Sequence, residues 1–207
     1  MKKILLSASI VAMSSAAFAE SSISAKYVTI DGTLSSGGVS VTGDGDGFSI
    51  NGILDIGDTA FVASGGVESV SGTIASIAWS LDSTVIGVGY KIIDEIDDDS
   101  GMQLVAGVGF ISSSGDFTSG GTKYTFGAES TVLLGQARAK TGASLSIAGE
   151  VVLDLEGDSD PTFSVGLAYD VTETGSIDLG YSSNNSIPSA GVTSELTGWT
   201  VGYRISF

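Results

Sequence analysis

Apolar residues alternate with small or polar residues along the chain beyond residue 20, and this period of two limits the fold more than any other feature. The C-terminal segment is the clearest case, because every odd position from Trp199 to Phe207 is apolar. A period of two places one set of side chains on each face of a β-strand. Clusters of glycine, serine, aspartate and asparagine separate the alternating segments, as is typical of turns. The pattern predicts an all-β chain without helices.

The first 19 residues follow a different pattern. Lys2 and Lys3 precede a mostly apolar stretch over 4–13, and Ala17-Phe18-Ala19 is a small-x-small cleavage site. We interpret 1–19 as a secretory signal peptide and 20–207 as one domain. Cleavage removes two lysines and no acid, which leaves 24 acidic residues against 6 basic ones and a net charge of −18. The mature chain has no apolar run long enough for a transmembrane helix.

Composition narrows the function classes. The 207-residue chain has no histidine and no cysteine, so the commonest general base and metal ligand is missing, and so are thiol chemistry and disulfides. The net charge of −16 argues against a nucleic-acid partner, because it repels phosphate. We therefore predict a protein that is not an enzyme and needs no cofactor or metal.

The positions of the aromatic residues distinguish two all-β architectures. A soluble sandwich or barrel turns its apolar face inward, whereas a membrane barrel turns it toward lipid. Here the aromatics of the apolar face lie at segment ends and the aliphatic residues lie between them, as two interfacial girdles require. These aromatics are Phe48, Tyr90, Phe110, Tyr124, Phe126, Phe163, Tyr169, Tyr181, Trp199, Tyr203 and Phe207. The sequence predicts a closed, antiparallel, up-and-down transmembrane β-barrel.

The signal peptide, the alternating segments and the last strand together resemble a small Gram-negative outer-membrane β-barrel of the OmpA/OmpX-like type. In that family the last strand has apolar residues at alternate positions and a C-terminal aromatic, which here are Tyr203, Ile205 and Phe207. The resemblance implies that this strand is an assembly signal for the outer-membrane insertion machinery, after escort by periplasmic chaperones. It also implies a monomer in the outer membrane, surrounded by lipid and lipopolysaccharide.

Eleven segments have the composition of strands, but bacterial single-chain barrels have an even number. We expect 72–81 to be the extra segment, as an extension of the third strand or part of an extracellular hairpin, so the prediction is ten strands, with eight as the alternative. Counting from the C-terminus places extracellular loops near 36–46, 68–83, 113–121, 156–161 and 184–195. It places periplasmic turns near 57–58, 94–100, 135–142 and 171–175.

Alternation also predicts which charged residues face the lumen: Asp55, Lys91, Glu129, Glu150, Asp154, Asp178 and Arg204. Isolated charges in a narrow lumen are costly, so these residues should pair. Asp178 and Arg204 belong to the last two strands and should lie within salt-bridge distance.

Two functions fit these features. The first is a non-enzymatic barrel that acts at the cell surface through acidic loops, in structural support, adhesion or recognition. The second is a narrow, porin-like channel for small solutes, because several inward-facing glycines leave space, among them Gly89, Gly127 and Gly202. The loop sequence Gly43-Asp44-Gly45-Asp46-Gly47 resembles part of a calcium loop, but the full ligand pattern is absent.

Overall fold

The computed structural model describes residues 21–36, 38–97, 100–156, 160–185 and 192–207. The predicted signal peptide, 1–19, lies outside the described residues. Ten strands are present: β1 Ser22–Ser36, β2 Val39–Asp55, β3 Phe61–Ile74, β4 Ile77–Ile96, β5 Ser100–Ser119, β6 Thr122–Thr141, β7 Leu145–Asp154, β8 Thr162–Asp170, β9 Gly175–Asn185 and β10 Val192–Ser206. None of the described residues forms a helix long and apolar enough to cross a membrane.

The strands form one closed barrel in which each strand pairs with its sequence neighbours and β1 pairs with β10. All ten pairs are antiparallel, and the closing register runs from Ser22 opposite Ser206 to Ser36 opposite Val192. Closure leaves no sheet edge within the barrel wall, as a membrane-spanning sheet requires. The predicted fold and the count of ten strands are confirmed, and the alternative of eight is wrong.

Segment 72–81 is a hairpin and not a separate strand. Its first half ends β3 and its second half begins β4, with Ala75 and Ser76 at the turn. Both turn residues have positive φ, 50° and 67°. Two such residues form the type of two-residue turn whose twist matches that of the flanking strands.

The strands at the end opposite to the termini, which we call the distal end, are longer than the sequence indicates. The predicted loops 36–46, 68–83 and 113–121 are mostly strand. β4, β5 and β6 have 20 residues each, whereas β7 has 10 and β8 has 9. About 9–11 residues suffice to cross a bilayer, so the long strands continue beyond it as a sheet. We call this part of β2–β6 the distal sheet (39–46, 71–82 and 113–130).

The barrel wall is apolar outside. Exposed Ile, Val and Leu form a band on the outer surface, and aromatic residues border the band at both ends. Tyr181 and Trp199 pack with ring centroids 4.7 Å apart at the distal border, and Phe61 and Tyr90 at 5.2 Å at the border near the termini. This arrangement is the one predicted for a lipid-facing wall with two aromatic girdles.

Candidate functional site

Buried apolar and polar side chains line the barrel interior. Three buried apolar clusters lie inside: Val28, Ile30, Val70, Leu81 and Leu196 with Trp79 beside them; Ile111, Ala128, Val132 and Val152; and Ile53, Val62 and Val105. Serine, threonine and charged side chains occupy the interior between the clusters. A barrel of this width is expected to be packed, because wide water-filled lumens occur in barrels with many more strands.

A buried ion cluster connects β1, β9 and β10 inside the lumen. Arg204 Nη2 lies 3.2 Å from Asp178 Oδ1, and Lys26 Nζ lies 3.6 Å from Asp178 Oδ2. All three side chains are at most 5% exposed. Arg204 Nε also donates a 3.0 Å hydrogen bond to Ser176 Oγ. We call Lys26, Asp178 and Arg204 the lumen triad.

Gly202 explains how Lys26 reaches a residue two strands away. Lys26 lies opposite Gly202 on β10, and Gly202 lies opposite Asp178 on β9. A Cβ atom at Gly202 would lie 2.5 Å from Lys26 Cγ and 2.4 Å from the backbone oxygen of Ala25. The lysine side chain therefore crosses β10 over a position that has no side chain.

A second ion cluster lies near the end of the barrel that carries the termini. Lys91 Nζ lies 3.0 Å from Asp55 Oδ1 and 3.2 Å from Asp94 Oδ2. The register between β4 and β5 shifts at Ile92, where one extra residue forms a β-bulge. A bulge changes which face the following residues occupy. Asp94 thereby reaches the inner face beside Lys91, whereas strict alternation places it outside.

Glu150 and Asp154, both on β7, are held by polar neighbours on β6. Gln136 Nε2 donates a 2.6 Å hydrogen bond to Glu150 Oε2. Ser130 Oγ donates to Asp154 Oδ1. Each of the two carboxylates therefore accepts a hydrogen bond from a neutral side chain of β6.

Glu129 lies on the outer face of β6 and not in the lumen. Its side chain is exposed, whereas its neighbours Ala128 and Ser130 are buried inside. The prediction that Glu129 faces the lumen assumes that Tyr124 is a girdle aromatic and faces lipid. Tyr124 lies on the same face of β6 as Ala128 and Ser130, because side chains alternate along the strand. It belongs to the distal sheet, beyond the bilayer. There both faces of the sheet meet water, so an aromatic residue does not indicate the lipid-facing side.

Several lumen residues of the described chain were not among those predicted, and Lys26 and Glu68 are two of them. Lys26 follows the alternation of Ser22 and Ser24 in β1, so the same rule could have found it. Glu68 is 3% exposed, and neither carboxylate oxygen has a hydrogen-bond partner among the described residues. Its alternation with Val67 and Ser69 also predicts an inward position.

Some inward-facing glycines lie against side chains of other strands. A Cβ atom at Gly45 would lie 2.5 Å from the ring of Trp79, and one at Gly66 would lie 2.0 Å from Asn51 Oδ1. Neighbouring long side chains therefore occupy the space that the glycines leave. The cavity beside the lumen triad offers about 10 Å³ to the centres of water molecules, which is room for about one water.

The segment that resembles a calcium loop belongs to β2. Asp44 and Asp46 point outward and Gly43, Gly45 and Gly47 point inward, because the strand alternates. No group of three acidic side chains among the described residues is arranged to hold a metal ion.

The distal sheet is held together by side chains that connect its strands. Lys123 Nζ lies 3.0 Å from Asp116 Oδ2, to which Ser80 Oγ also donates a 3.1 Å hydrogen bond. The hydrogen bond from Lys123 holds the pKa of the Asp116 carboxyl below its usual range. Phe117 and Tyr124 stack with ring centroids 5.0 Å apart. These contacts connect β4, β5 and β6 where lipid no longer supports them.

The three residues of the predicted assembly signal lie on the outer face of β10. Tyr203, Ile205 and Phe207 are all exposed, at 43%, 47% and 73%. The backbone N–H of Phe207 donates a 2.8 Å hydrogen bond to the Ser21 carbonyl, so the last residue still joins the barrel closure.

Comparison with known proteins identifies the fold. No family model matches the sequence, and no curated protein matches it. The transport unit of the autotransporter AIDA-I from Escherichia coli is similar over 98% of this chain and 95% of that chain, with 12% identity and a TM-score of 0.58. Neisserial surface protein A is similar over 89% and 97%, with 16% identity and a TM-score of 0.45. The outer membrane protease OmpT from Escherichia coli matches over 94% and 99%, with 10% identity and a TM-score of 0.45. The chain has the fold of outer-membrane β-barrels.

Proposed function

We propose that this barrel is a non-enzymatic protein of the Gram-negative outer membrane that acts at the cell surface, with its lumen closed and its distal sheet exposed for recognition or adhesion. The single observation that carries the proposal is the combination of an interior lined with buried side chains and long strands that continue beyond the bilayer at the distal end. The long strands of β4–β6 serve no purpose in crossing lipid, because ten residues suffice for β7. The distal sheet lies outside the membrane and would be accessible to molecules at the cell surface.

The absence of histidine supports a non-enzymatic role. Hydrolysis at a membrane surface needs a group that activates water or a nucleophile, and histidine most often does so near neutral pH. Among the inward carboxylates, Asp178 is paired with Lys26 and Arg204, and Glu150 accepts a hydrogen bond from Gln136. OmpT is named as a protease, and only the fold links it to this chain.

The proposed partners follow from the location. Lipid and lipopolysaccharide would surround the apolar band, and the distal end would face the cell exterior, since both termini lie at the opposite end. During biogenesis the insertion machinery would bind the last strand through Tyr203, Ile205 and Phe207, after escort by periplasmic chaperones. The barrel would act as a monomer after removal of the signal peptide.

The alternative is a narrow channel for small solutes, and conductance distinguishes the two functions. The refolded barrel should produce no stepwise current in planar bilayers, because apolar clusters and the lumen triad block the path. Folding is checked by heat-modifiable gel migration, and a wide porin in the same bilayers provides the positive control. Reproducible single-channel steps from the folded barrel would show that the lumen is open and would favour the channel.

A further inference from the structure

Glu68 of β3 differs from the other acidic residues of the barrel interior. Its side chain is 3% exposed, and neither carboxylate oxygen has a hydrogen-bond partner among the described residues. Other inward acids have a neighbour at bonding distance, as Asp178 has in Arg204 and Glu150 has in Gln136. A buried carboxylate without such a neighbour is costly. It therefore requires an explanation, of which a bound ion is one.

Lys26 lies on the same level of the lumen but is paired with a different acid. The register places Lys26 of β1 opposite Ser49 of β2, and Ser49 opposite Glu68 of β3. Lys26 is thus two strands from Glu68, a separation that it spans in its contact with Asp178 on the other side. Its side chain crosses Gly202 toward Asp178, where its Nζ lies 3.6 Å from Oδ2. Among the described residues, no basic side chain balances the charge of Glu68.

Serine hydroxyls flank Glu68 on both neighbouring strands, because Ser49 of β2 and Ser83 of β4 lie directly opposite it. Ser49 Oγ accepts a 3.2 Å hydrogen bond from Asn51 Nδ2. Ser83 Oγ donates a 3.1 Å hydrogen bond to Ser113 Oγ. Neither serine donates to Glu68, since the carboxylate has no hydrogen-bond partner in the described chain. A carboxylate between hydroxyl oxygens is a set of hard ligands, which alkali and alkaline-earth cations prefer.

Apolar side chains lie on both sides of this level of the lumen. Val70 and Leu81 are the next inward residues toward the distal end on β3 and β4, and each is 1% exposed. The cluster that contains Val62 lies toward the termini. Solvent screens a charge poorly between apolar clusters, so the group that balances Glu68 must lie at the carboxylate itself.

The charge of the site selects the class of cation. One carboxylate balances a single positive charge, whereas a divalent ion would leave a net positive charge among apolar clusters. Water would donate hydrogen bonds to the carboxylate without balancing its charge. An alkali cation needs neither histidine nor cysteine as a ligand, so the absence of both residues does not exclude it.

We propose that Glu68, together with the hydroxyl oxygens of Ser49 and Ser83, binds one alkali cation inside the lumen. The carboxylate would provide the charge, and the hydroxyls would provide further oxygen ligands. The cation would connect β2, β3 and β4 just below the distal sheet, and it would thereby stabilise the base of that sheet. The inference goes beyond the proposed surface role and does not depend on it.

The experiment measures urea unfolding of the full barrel in vesicles of zwitterionic lipid, with Na⁺ as the probe. Choline chloride replaces NaCl at constant ionic strength, so that exposed acids are screened equally in both salts. The barrel should be more stable in NaCl. Above the dissociation constant, each tenfold increase in Na⁺ should raise the ratio of folded to unfolded protein about tenfold, as binding at one site requires.

The decisive variant is Glu68→Gln, which has nearly the same shape and no charge. It should be equally stable in the two salts, and in choline chloride it should be at least as stable as the natural chain. The matched control is Glu129→Gln, which alters an exposed acid on the outer face and should keep the full Na⁺ dependence. Ser49→Ala should keep the dependence but need about threefold to tenfold more Na⁺, because one ligand is lost.

Three results would overturn the proposal. The first is equal stability of the natural chain in both salts, which would mean that Glu68 is protonated or hydrated. The others are a Na⁺ dependence that Glu68→Gln retains and one that Glu129→Gln loses. If Glu68→Gln does not fold, Ser49→Ala decides, since an unchanged Na⁺ requirement would place the ion elsewhere. Conductance tests the proposed function separately, because a closed barrel without a Na⁺ effect refutes only this inference.

Discussion

Glycine has two different uses in this barrel at the scale of single residues. On the inner face, Gly202 leaves room for Lys26 of the adjacent strand, and Gly45 leaves room for Trp79, which lies two strands away. In the β5–β6 turn, Gly120 and Gly121 adopt a left-handed backbone that other residues adopt only with strain. High glycine content in this barrel therefore reflects positions where a long side chain of another strand packs over the backbone. It does not indicate an empty lumen.

The lumen triad provides a prediction at this scale. Asp178→Ala leaves Lys26 and Arg204 buried without their shared carboxylate, so the free energy of unfolding should fall by about 3–5 kcal/mol. The matched control is Lys123→Ala, which removes a lysine that is 62% exposed and should cost about 0–1 kcal/mol. Urea unfolding of both variants in lipid vesicles measures the difference. Equal losses would mean that the triad contributes no more than a surface pair.

At the scale of strands and hairpins, irregular positions decide where side chains point. The bulge at Ile92 brings Asp94 to the inner face. Because β6 extends beyond the bilayer, Tyr124 does not mark the lipid-facing side of the strand. Both effects come from pairing between strands, because a bulge or an extension is defined only relative to the neighbouring strand. Alternation within one segment cannot reveal either of them.

The β3–β4 hairpin provides a prediction about such a position. Ser76 has φ of 67° without being glycine, and a non-glycine residue in this region costs roughly 1 kcal/mol. Ser76→Gly should therefore stabilise the hairpin by about 1 kcal/mol, measured as slower hydrogen exchange at the amides around the turn. Gly121→Ala, at φ of 80°, should destabilise the β5–β6 hairpin by a similar amount. Faster exchange in Ser76→Gly would contradict the interpretation that the backbone of Ser76 is strained.

At the scale of the whole molecule, apolar side chains lie on both the inner and the outer face of the barrel wall. Inside, three apolar clusters are buried in the lumen, and outside, aliphatic side chains between the aromatic girdles face lipid. Leu167 lies in this outer band between Phe163 and Tyr169. A charge placed there enters hydrocarbon, whereas a charge on the distal sheet stays in water.

The corresponding prediction compares two arginines on the outer face. Leu167→Arg should destabilise the folded barrel in lipid by about 2–4 kcal/mol, because the charge lies near the bilayer centre. Glu129→Arg should cost at most about 1 kcal/mol, because it lies beyond the girdle. Reversible folding into vesicles measures both values. Similar losses for the two variants would place the membrane boundary elsewhere.

Several properties follow from the sequence alone, because they depend on local order. Alternation defines the strands and most of their faces, and the aromatics at segment ends indicate a membrane wall. The same rule correctly places Asp178 and Arg204 on the inner faces of neighbouring strands, where they lie 3.2 Å apart. An even strand number is the rule for bacterial single-chain barrels, and the short spacing around 72–81 indicates that this segment is the one to reassign.

Other properties are decided only by the tertiary structure, because they depend on how far each strand continues and on what lies opposite it. Lys26 meets Asp178 across an intervening glycine, a contact that involves three strands. Glu129 lies outside because it alternates with the inward Ala128 and Ser130, and Tyr124 does not show this because β6 extends beyond the bilayer at that point. Residues 122–130 of β6 extend beyond the ladder with β7, because β7 has only 10 residues. Strand length is set by pairing with neighbours, and a period of two is the same in lipid and in water, so the sequence pattern cannot show where the membrane ends.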